Sequence, residues 1–114
     1  YKNTSMYFTS FNPIDAEGLI KLLLLTPNPE KNYGAWNYGN YSNHEVDRLC
    51  EQLSETMDTK IRGEYIQEIF SIAASDVAWI PLFSSKAFYG TVDDIEWTPR
   101  PSLFIWVDEI SFKD

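Results

Sequence analysis

The sequence predicts an α/β protein in which three helices come before a series of short extended segments. Two observations support this fold class. Apolar residues recur at spacings of three and four in two segments between residues 43 and 75, as one face of a helix requires, and a third capped segment at 16–23 is broadly apolar. From residue 78 onward, aromatic and β-branched residues form short runs that prolines and an acidic turn separate, which is typical of strands.

The composition limits the classes of partner. At 114 residues with 44% hydrophobic content, the chain is long enough to bury one core. Seventeen acidic and nine basic residues give a formal net charge of -8, which repels phosphate backbones, so we expect no nucleic-acid partner. The apolar run Leu19 to Leu25 is far shorter than the roughly 20 residues that span a bilayer. No segment is predicted to cross a membrane.

The beginning of the chain reads as a strand followed by a helix. Residues 1–5 have neither an initiator Met nor the features of a signal sequence, and Met6 to Phe11 already has the character of a β-strand. We therefore expect the chain to be a piece of a larger protein. Asp15 is suited to cap a helix that starts at Ala16.

The segment from Thr26 to Ser42 is predicted to be a long loop. It contains two prolines, two glycines, four asparagines and four aromatic residues, without a sustained period. Loops of this length inside a compact domain are uncommon and often bind ligands. The aromatic residues suit stacking on sugars or packing over peptide side chains, but they could equally anchor the loop to its own domain. They are Tyr33, Trp36, Tyr38 and Tyr41.

Two further helices follow the loop. Asn43 is a suitable N-cap for the first, and Asp58 with Thr59 caps the second. Each has one apolar stripe that should face the core. The first stripe consists of Val46, Leu49, Cys50, Leu53 and Met57, and the second of Ile61, Tyr65, Ile69, Ile72 and Ala73.

Three extended segments are predicted after the helices. They are residues 78–83, 86–92 and 103–112, and Pro81 places the first at an edge or a strand end. Three tryptophans in or beside these segments, Trp79, Trp97 and Trp106, are expected in the core.

The sequence offers no catalytic group. The single histidine, His44, lies at an exposed helix start beside acidic residues, and Cys50 lies on an apolar stripe, where a thiol is usually inert. Nucleophile-elbow, phosphate-loop and zinc motifs are missing. We therefore predict no enzyme activity, no catalytic residue, no cofactor and no metal site.

Four sequence blocks occur in an order that resembles a known family. The blocks are "NYSNHEVDRL", "DTKIRGEYIQEI", "SDVAWIPLF" and "WTPRP". Together they are similar to the C-terminal portion of the extracellular solute-binding proteins of ABC transporters, in the oligopeptide, dipeptide and nickel class. The likeness runs from about Asn40 to Pro101. His44 and Thr59 stand where that family usually has proline, and Val77-Ala78 replaces its Ala-Pro.

The resemblance implies a fold, a function and a location. It implies a fragment of a periplasmic-binding-protein type II lobe, a mixed sheet flanked by helices, with residues 1–102 in the second ligand-binding lobe and 103–114 as the return strand toward the other. Such a protein captures a solute, for example an oligopeptide or oligosaccharide, between two lobes and delivers it to the permease subunits. It works outside the cytoplasm, in the periplasm or at the outer face of the membrane, where a lipid anchor is one option.

The resemblance also points to ligand-binding residues. In peptide-binding members an aspartate before the first of these helices pairs with the ligand's α-amino group, and Asn12 falls at that position. A neutral amide forgoes the charge-assisted bond, so the expected ligand lacks a free α-amine, as a saccharide does. Asn12 could instead form a turn and Asp15 a helix cap. The predicted ligand-binding residues are Phe11, Asn12, Asp15, Tyr33, Trp36 and Tyr38.

A stand-alone carbohydrate-binding module that uses the aromatic loop is the alternative function. A helical interaction domain is disfavoured because the last third of the sequence has β character.

Overall fold

The computed structural model describes residues 6–11, 15–100 and 104–113, which form a small mixed α/β protein. In order, its elements are α1 (Ala16–Leu23), α2 (His44–Glu55), α3 (Thr59–Ser75), β1 (Ile95–Glu96), a 3₁₀ turn (Val107–Glu109) and β2 (Ser111–Phe112). By its internal contacts the chain divides into Tyr1–Pro81, here called the helical unit, and Leu82–Asp114, the C-terminal unit.

All three helices begin at the predicted caps. The Asp15 carboxylate accepts a hydrogen bond from the Gly18 amide at 2.6 Å. Asn43 and Asp58 accept from the backbone amides two and three residues further along, at 2.9 to 3.4 Å. These bonds satisfy amides of the first helical turn, which have no acceptor within the helix. A capping side chain is therefore a local signal from which a helix start can be predicted.

The core of the helical unit is formed by α1, α2 and the C-terminal half of α3. Its members are buried apolar side chains from all three helices and the two residues after α1. They are Leu19, Ile20, Leu23, Leu24, Leu25, Val46, Leu49, Cys50, Leu53, Ile69 and Ala73.

The predicted stripes are correct except near the α2–α3 connection. Met57 is 92% exposed because α2 ends at Glu55 and the residues before the Asp58 cap are extended. Ile61, in the first turn of α3, is 40% exposed, whereas Ile69 and Ala73 are buried. Helical periodicity therefore identified the stripe but not where the packing begins.

The predicted strands are mostly wrong. The described residues 6–11 and 78–92 contain no strand, and within 104–112 only Ser111–Phe112 is one. It pairs antiparallel with β1, Ile95 opposite Phe112. β propensity describes a side chain that suits a pleated surface, but it does not supply the neighbouring strand that must accept the hydrogen bonds.

The three tryptophans predicted to lie in the core differ in their burial. Trp79 is half-buried against the helical core, and Trp97 is half-buried within the C-terminal unit. Trp106 is 52% exposed, so its predicted core position is wrong. The Arg100 guanidinium lies 5.9 Å from the centroid of the Trp106 ring, within the range of a cation–π interaction.

Many apolar side chains of the C-terminal unit remain in contact with solvent. Those more than half exposed are Leu82, Phe83, Phe88, Val92, Phe104, Ile105, Trp106, Val107 and Phe112. Within the described chain, no helix has the length and apolar character to cross a membrane.

Candidate ligand-binding surface

Four aromatic side chains from two separate segments meet in the helical unit, and we call them the aromatic surface. Tyr7 and Phe11 precede α1, whereas Trp36 and Tyr38 belong to the loop at 26–42. The Phe11 and Trp36 rings are edge to face with centroids 4.9 Å apart, and those of Tyr7 and Tyr38 are 5.4 Å apart. The Tyr7 hydroxyl also donates to the Trp36 carbonyl at 2.8 Å. Three of the predicted site residues therefore lie together.

The loop is fixed to the end of α1 by backbone hydrogen bonds. The amides of Gly34 and Trp36 donate to the carbonyls of Lys21 and Leu22 at 2.8 and 3.0 Å. Those carbonyls lie in the last turn of α1, where no helical amide is available to them. Gly34 has φ +62°, and a Cβ there would lie 2.6 Å from the Leu25 carbonyl oxygen. Only glycine lets the loop come this close to the helix.

Asn37 is the buried polar residue that holds the loop in shape. Its amide nitrogen donates to the carbonyls of Leu25 and Tyr41 at 3.0 and 2.7 Å, and its amide oxygen accepts from the Tyr41 amide at 3.0 Å. Sequence reasoning missed its role, because four asparagines in one loop gave no signal that distinguished it. The residues on either side of it, Trp36 and Tyr38, are thereby held in place.

Both ends of the loop are tied to the helices. The Asp47 carboxylate in α2 accepts from the Thr26 amide at 3.0 Å and from its hydroxyl at 2.6 Å. At the other end, the Tyr41 hydroxyl donates to Asp76 at 2.7 Å, as does the Asn43 amide. Burial and the Asp76 carboxylate raise the pKa of Tyr41 to about 12, and these two bonds lower the pKa of Asp76. Tyr41 is thus an anchor.

Tyr33 also has an anchoring role in the structure. It is half-buried against the helical core, and its backbone forms a two-way bridge with Asn28 at 2.9 and 3.0 Å. The Lys31 ammonium lies 5.7 Å from its ring centroid. These contacts explain why an aromatic residue stands here without any ligand.

The remaining predicted site residues are Asp15 and Asn12. Asp15 caps α1, which was one of the two roles predicted for it, and its carboxylate accepts a hydrogen bond from the Gly18 amide. Asn12 lies outside the described residues. The amine-site hypothesis for Asn12 stays a prediction.

A charged cluster beside Asp15 joins the three helices. The Glu17 carboxylate accepts hydrogen bonds from Lys21 at 2.6 Å, from Arg62 at 2.7 Å and from Ser54 at 2.8 Å. The bond from Lys21, followed by that from Arg62, lowers the pKa of Glu17 to about 2. Arg62 also donates to the carbonyls of Leu53 and Thr56, so it completes the end of α2. Because its groups are paired with one another, this cluster stabilises the fold.

The candidate reactive groups are accounted for structurally. Cys50 is 1% exposed, and burial raises the pKa of its thiol to about 11, which keeps it protonated near neutral pH. His44 is exposed at the start of α2. In the described ranges, no group of three or more His, Cys, Asp or Glu side chains is placed to hold a metal ion.

Comparison with protein-family models, with curated proteins and with solved structures found no match. The interpretation of the aromatic surface therefore depends on its own residues and contacts.

Proposed function

We propose that the chain is part of a non-enzymatic solute-binding protein of an ABC importer and that the aromatic surface is one wall of its ligand cleft. The observation that supports this most is the aromatic surface itself. Two of its rings, Trp36 and Tyr38, are 44% and 42% exposed although the loop that bears them is hydrogen-bonded to α1 and α2. An anchoring role alone would bury those rings, as it does more fully for Tyr33.

A rigid support favours binding. Tyr and Trp have few rotatable bonds, so they offer a large contact area at a low entropic cost, and a fixed loop lowers that cost further. The support here is the α1 end, the buried Asn37 and the Thr26–Asp47 pair. The proposed ligand would therefore bind without a rearrangement of this surface.

One wall encloses a ligand on one side only. Binding sites for small molecules usually bury about 70–90% of the ligand, so a second surface must close over the first. Closure of two lobes around a hinge is a known way to supply it. The proposed partners are therefore a solute, the rest of the same binding protein and the permease subunits, at an extracytoplasmic location.

The exposed apolar side chains of the C-terminal unit also support the proposal. Large exposed apolar patches on a protein usually mark an interaction surface. Phe83, Phe88 and Phe104 are 74%, 89% and 60% exposed. We propose that segments 82–92 and 104–112 complete a larger mixed sheet of a type II binding-protein lobe, with residues 103–114 returning toward the other lobe.

The second candidate is a stand-alone carbohydrate-binding module, which the packed core of the helical unit favours. In this alternative, the aromatic surface alone would have to supply the affinity.

Hydrogen exchange, sedimentation and calorimetry on the 114-residue chain separate the two functions. The binding-protein proposal expects protected amides in α1, α2 and α3, rapid exchange in residues 82–100 and 104–113, self-association as concentration rises, and weak ligand binding. A monomer with protection throughout and micromolar affinity would instead identify an independent module.

A further inference from the structure

We propose that the aromatic surface binds a neutral oligosaccharide, with sugar rings stacked on Trp36 and Tyr38 and with Tyr7 and Phe11 as positioning residues. This inference rests on the proposed function, because it names the class of solute for the same surface. Three features of the surface support it: its lack of charge, its ring geometry and its rigidity.

The two segments that build the surface carry no side chain that is charged at neutral pH. Residues 6–11 and 32–43 contain no Asp, Glu, Lys, Arg or His, although the chain has 17 acidic and nine basic residues. Two charged residues near these segments have partners elsewhere, since Asp15 caps α1 and Lys31 pairs with Glu51 at 2.8 Å. A zwitterionic peptide would lose hydration at its charged termini without gaining an opposite charge. A neutral ligand avoids this cost.

The ring geometry shows that Phe11 does not cover both faces of the Trp36 indole, and Trp36 is 44% exposed. The Phe11 and Trp36 planes are 86° apart, so Phe11 meets either the edge or one face of the indole. In both cases at least one indole face is not covered by Phe11. A pyranose ring suits such a face, because its axial C–H groups form an apolar surface while its hydroxyls lie at the rim.

Tyr7 and Phe11, in the segment before α1, hold Trp36 and Tyr38 in position. The Tyr7 hydroxyl binds the Trp36 carbonyl, and the Tyr7 ring lies at 70° to the Tyr38 ring. Phe11 is half-buried and packs on the helical core as well as on Trp36. The spacing of the two stacking rings is therefore fixed before a ligand arrives, which reduces the entropy lost on binding.

An NMR titration of the 114-residue chain tests the inference with three uncharged or zwitterionic probes: cellotetraose, maltotetraose and tetra-alanine. The indole resonance of Trp36 is assigned by its disappearance in Trp36→Phe. We expect at least one tetrasaccharide to shift the Trp36 indole and the Tyr38 amide saturably, with little dependence on salt. Tetra-alanine should leave both unchanged.

Variants separate stacking from positioning. Trp36→Ala should weaken saccharide binding at least about tenfold, since a stacked aromatic residue contributes on the order of a kcal/mol or more. Tyr7→Phe keeps the ring and removes the hydroxyl, so binding should weaken about two- to fivefold while amide protection in α1 and α2 is unchanged. Phe88→Ala, in the C-terminal unit, is the matched aromatic control and should bind normally. Core amide signals verify that each variant is folded.

The outcomes distinguish two kinds of failure. Saturable shifts at Trp36 and Tyr38 with tetra-alanine, and none with either saccharide, would overturn the ligand class and leave the proposed cleft wall intact. If none of the three probes shifts these two resonances, both the saccharide inference and the proposed role of the aromatic surface are wrong. Unchanged saccharide affinity in Tyr7→Phe would remove Tyr7 from the positioning role.

Discussion

The helical unit and the C-terminal unit are both rich in large apolar residues, yet only the helical unit buries them. In the helical unit Ile20, Val46 and Leu53 are fully buried, whereas in the C-terminal unit Phe88 and Val107 are 89% and 78% exposed. The difference follows from hydrogen bonding. A helix satisfies its backbone internally and can then pack by one face, while an extended segment needs a neighbouring strand first. Apolar composition alone does not make a core.

The largest expected effect is a core truncation in the helical unit. Leu53→Ala should lower the free energy of unfolding by about 2–5 kcal/mol, because it leaves a cavity among α1, α2 and α3. Phe88→Ala, which deletes a larger side chain from the C-terminal unit, should change it by no more than about 0.5 kcal/mol. Urea denaturation measures both. Equal losses would show that the C-terminal unit buries Phe88 after all.

Acid should destabilise the helical unit through Glu17. Its pKa is lowered from 4.5 to about 2, so its contribution is present above pH 4.5 and is lost as pH falls toward 2. Because the Glu17 side chain is only 18% exposed, protonating it should lower the free energy of unfolding by up to about 3 kcal/mol. Glu17→Gln should remove this part of the acid dependence, whereas Glu64→Gln, at an exposed position on α3, should keep it. Thermal melts between pH 2 and pH 5 would contradict the assignment if both variants behaved like the wild type.

Loss of Asn37 should loosen the loop without disturbing the helices. Asn37→Ala removes three hydrogen bonds and leaves the Leu25 carbonyl buried, at a cost of about 2 kcal/mol. Hydrogen exchange should show faster opening around Trp36, with α2 unchanged. Gly39→Ala is the control in the same loop, since a Cβ there meets no atom within 4 Å. Similar exchange in both variants would mean that Asn37 does not hold the loop.

The smallest effect concerns the anchor at the end of the loop. The pKa of Tyr41 is raised from 10.0 to about 12, so its contribution is present below pH 10 and is lost as pH rises toward 12. Tyr41→Phe should cost about 1 kcal/mol near neutral pH and abolish this alkaline loss. Absorbance at the tyrosinate band follows the titration. A wild-type protein that loses no stability through this range would rule out the Tyr41–Asp76 bond.

Local chemistry explains which features could be predicted. Helix starts depend on one side chain and two nearby amides, so Asp15, Asn43 and Asp58 were identified from sequence alone. The long loop at 26–42 was also predicted, whereas the ligand contacts of Trp36 and Tyr38 stay a prediction.

The features that escaped prediction depend on residues far apart in sequence. Asn37 reaches the Leu25 carbonyl 12 residues away, and Arg62 reaches Glu17 across 45. Neither bond leaves a periodic pattern. The packing of Tyr33 on the core has the same origin, because it depends on where the helices meet.

Arg62 also bears on the order in which the molecule assembles. It reaches from α3 to the Leu53 carbonyl at the end of α2, only nine residues away, so the α2–α3 hairpin closes a short loop. Hairpins with such local contacts fold early, whereas α1 and the aromatic loop must wait for a formed apolar face. We therefore expect the rings that would meet a ligand to be the last part of the helical unit to reach their native positions.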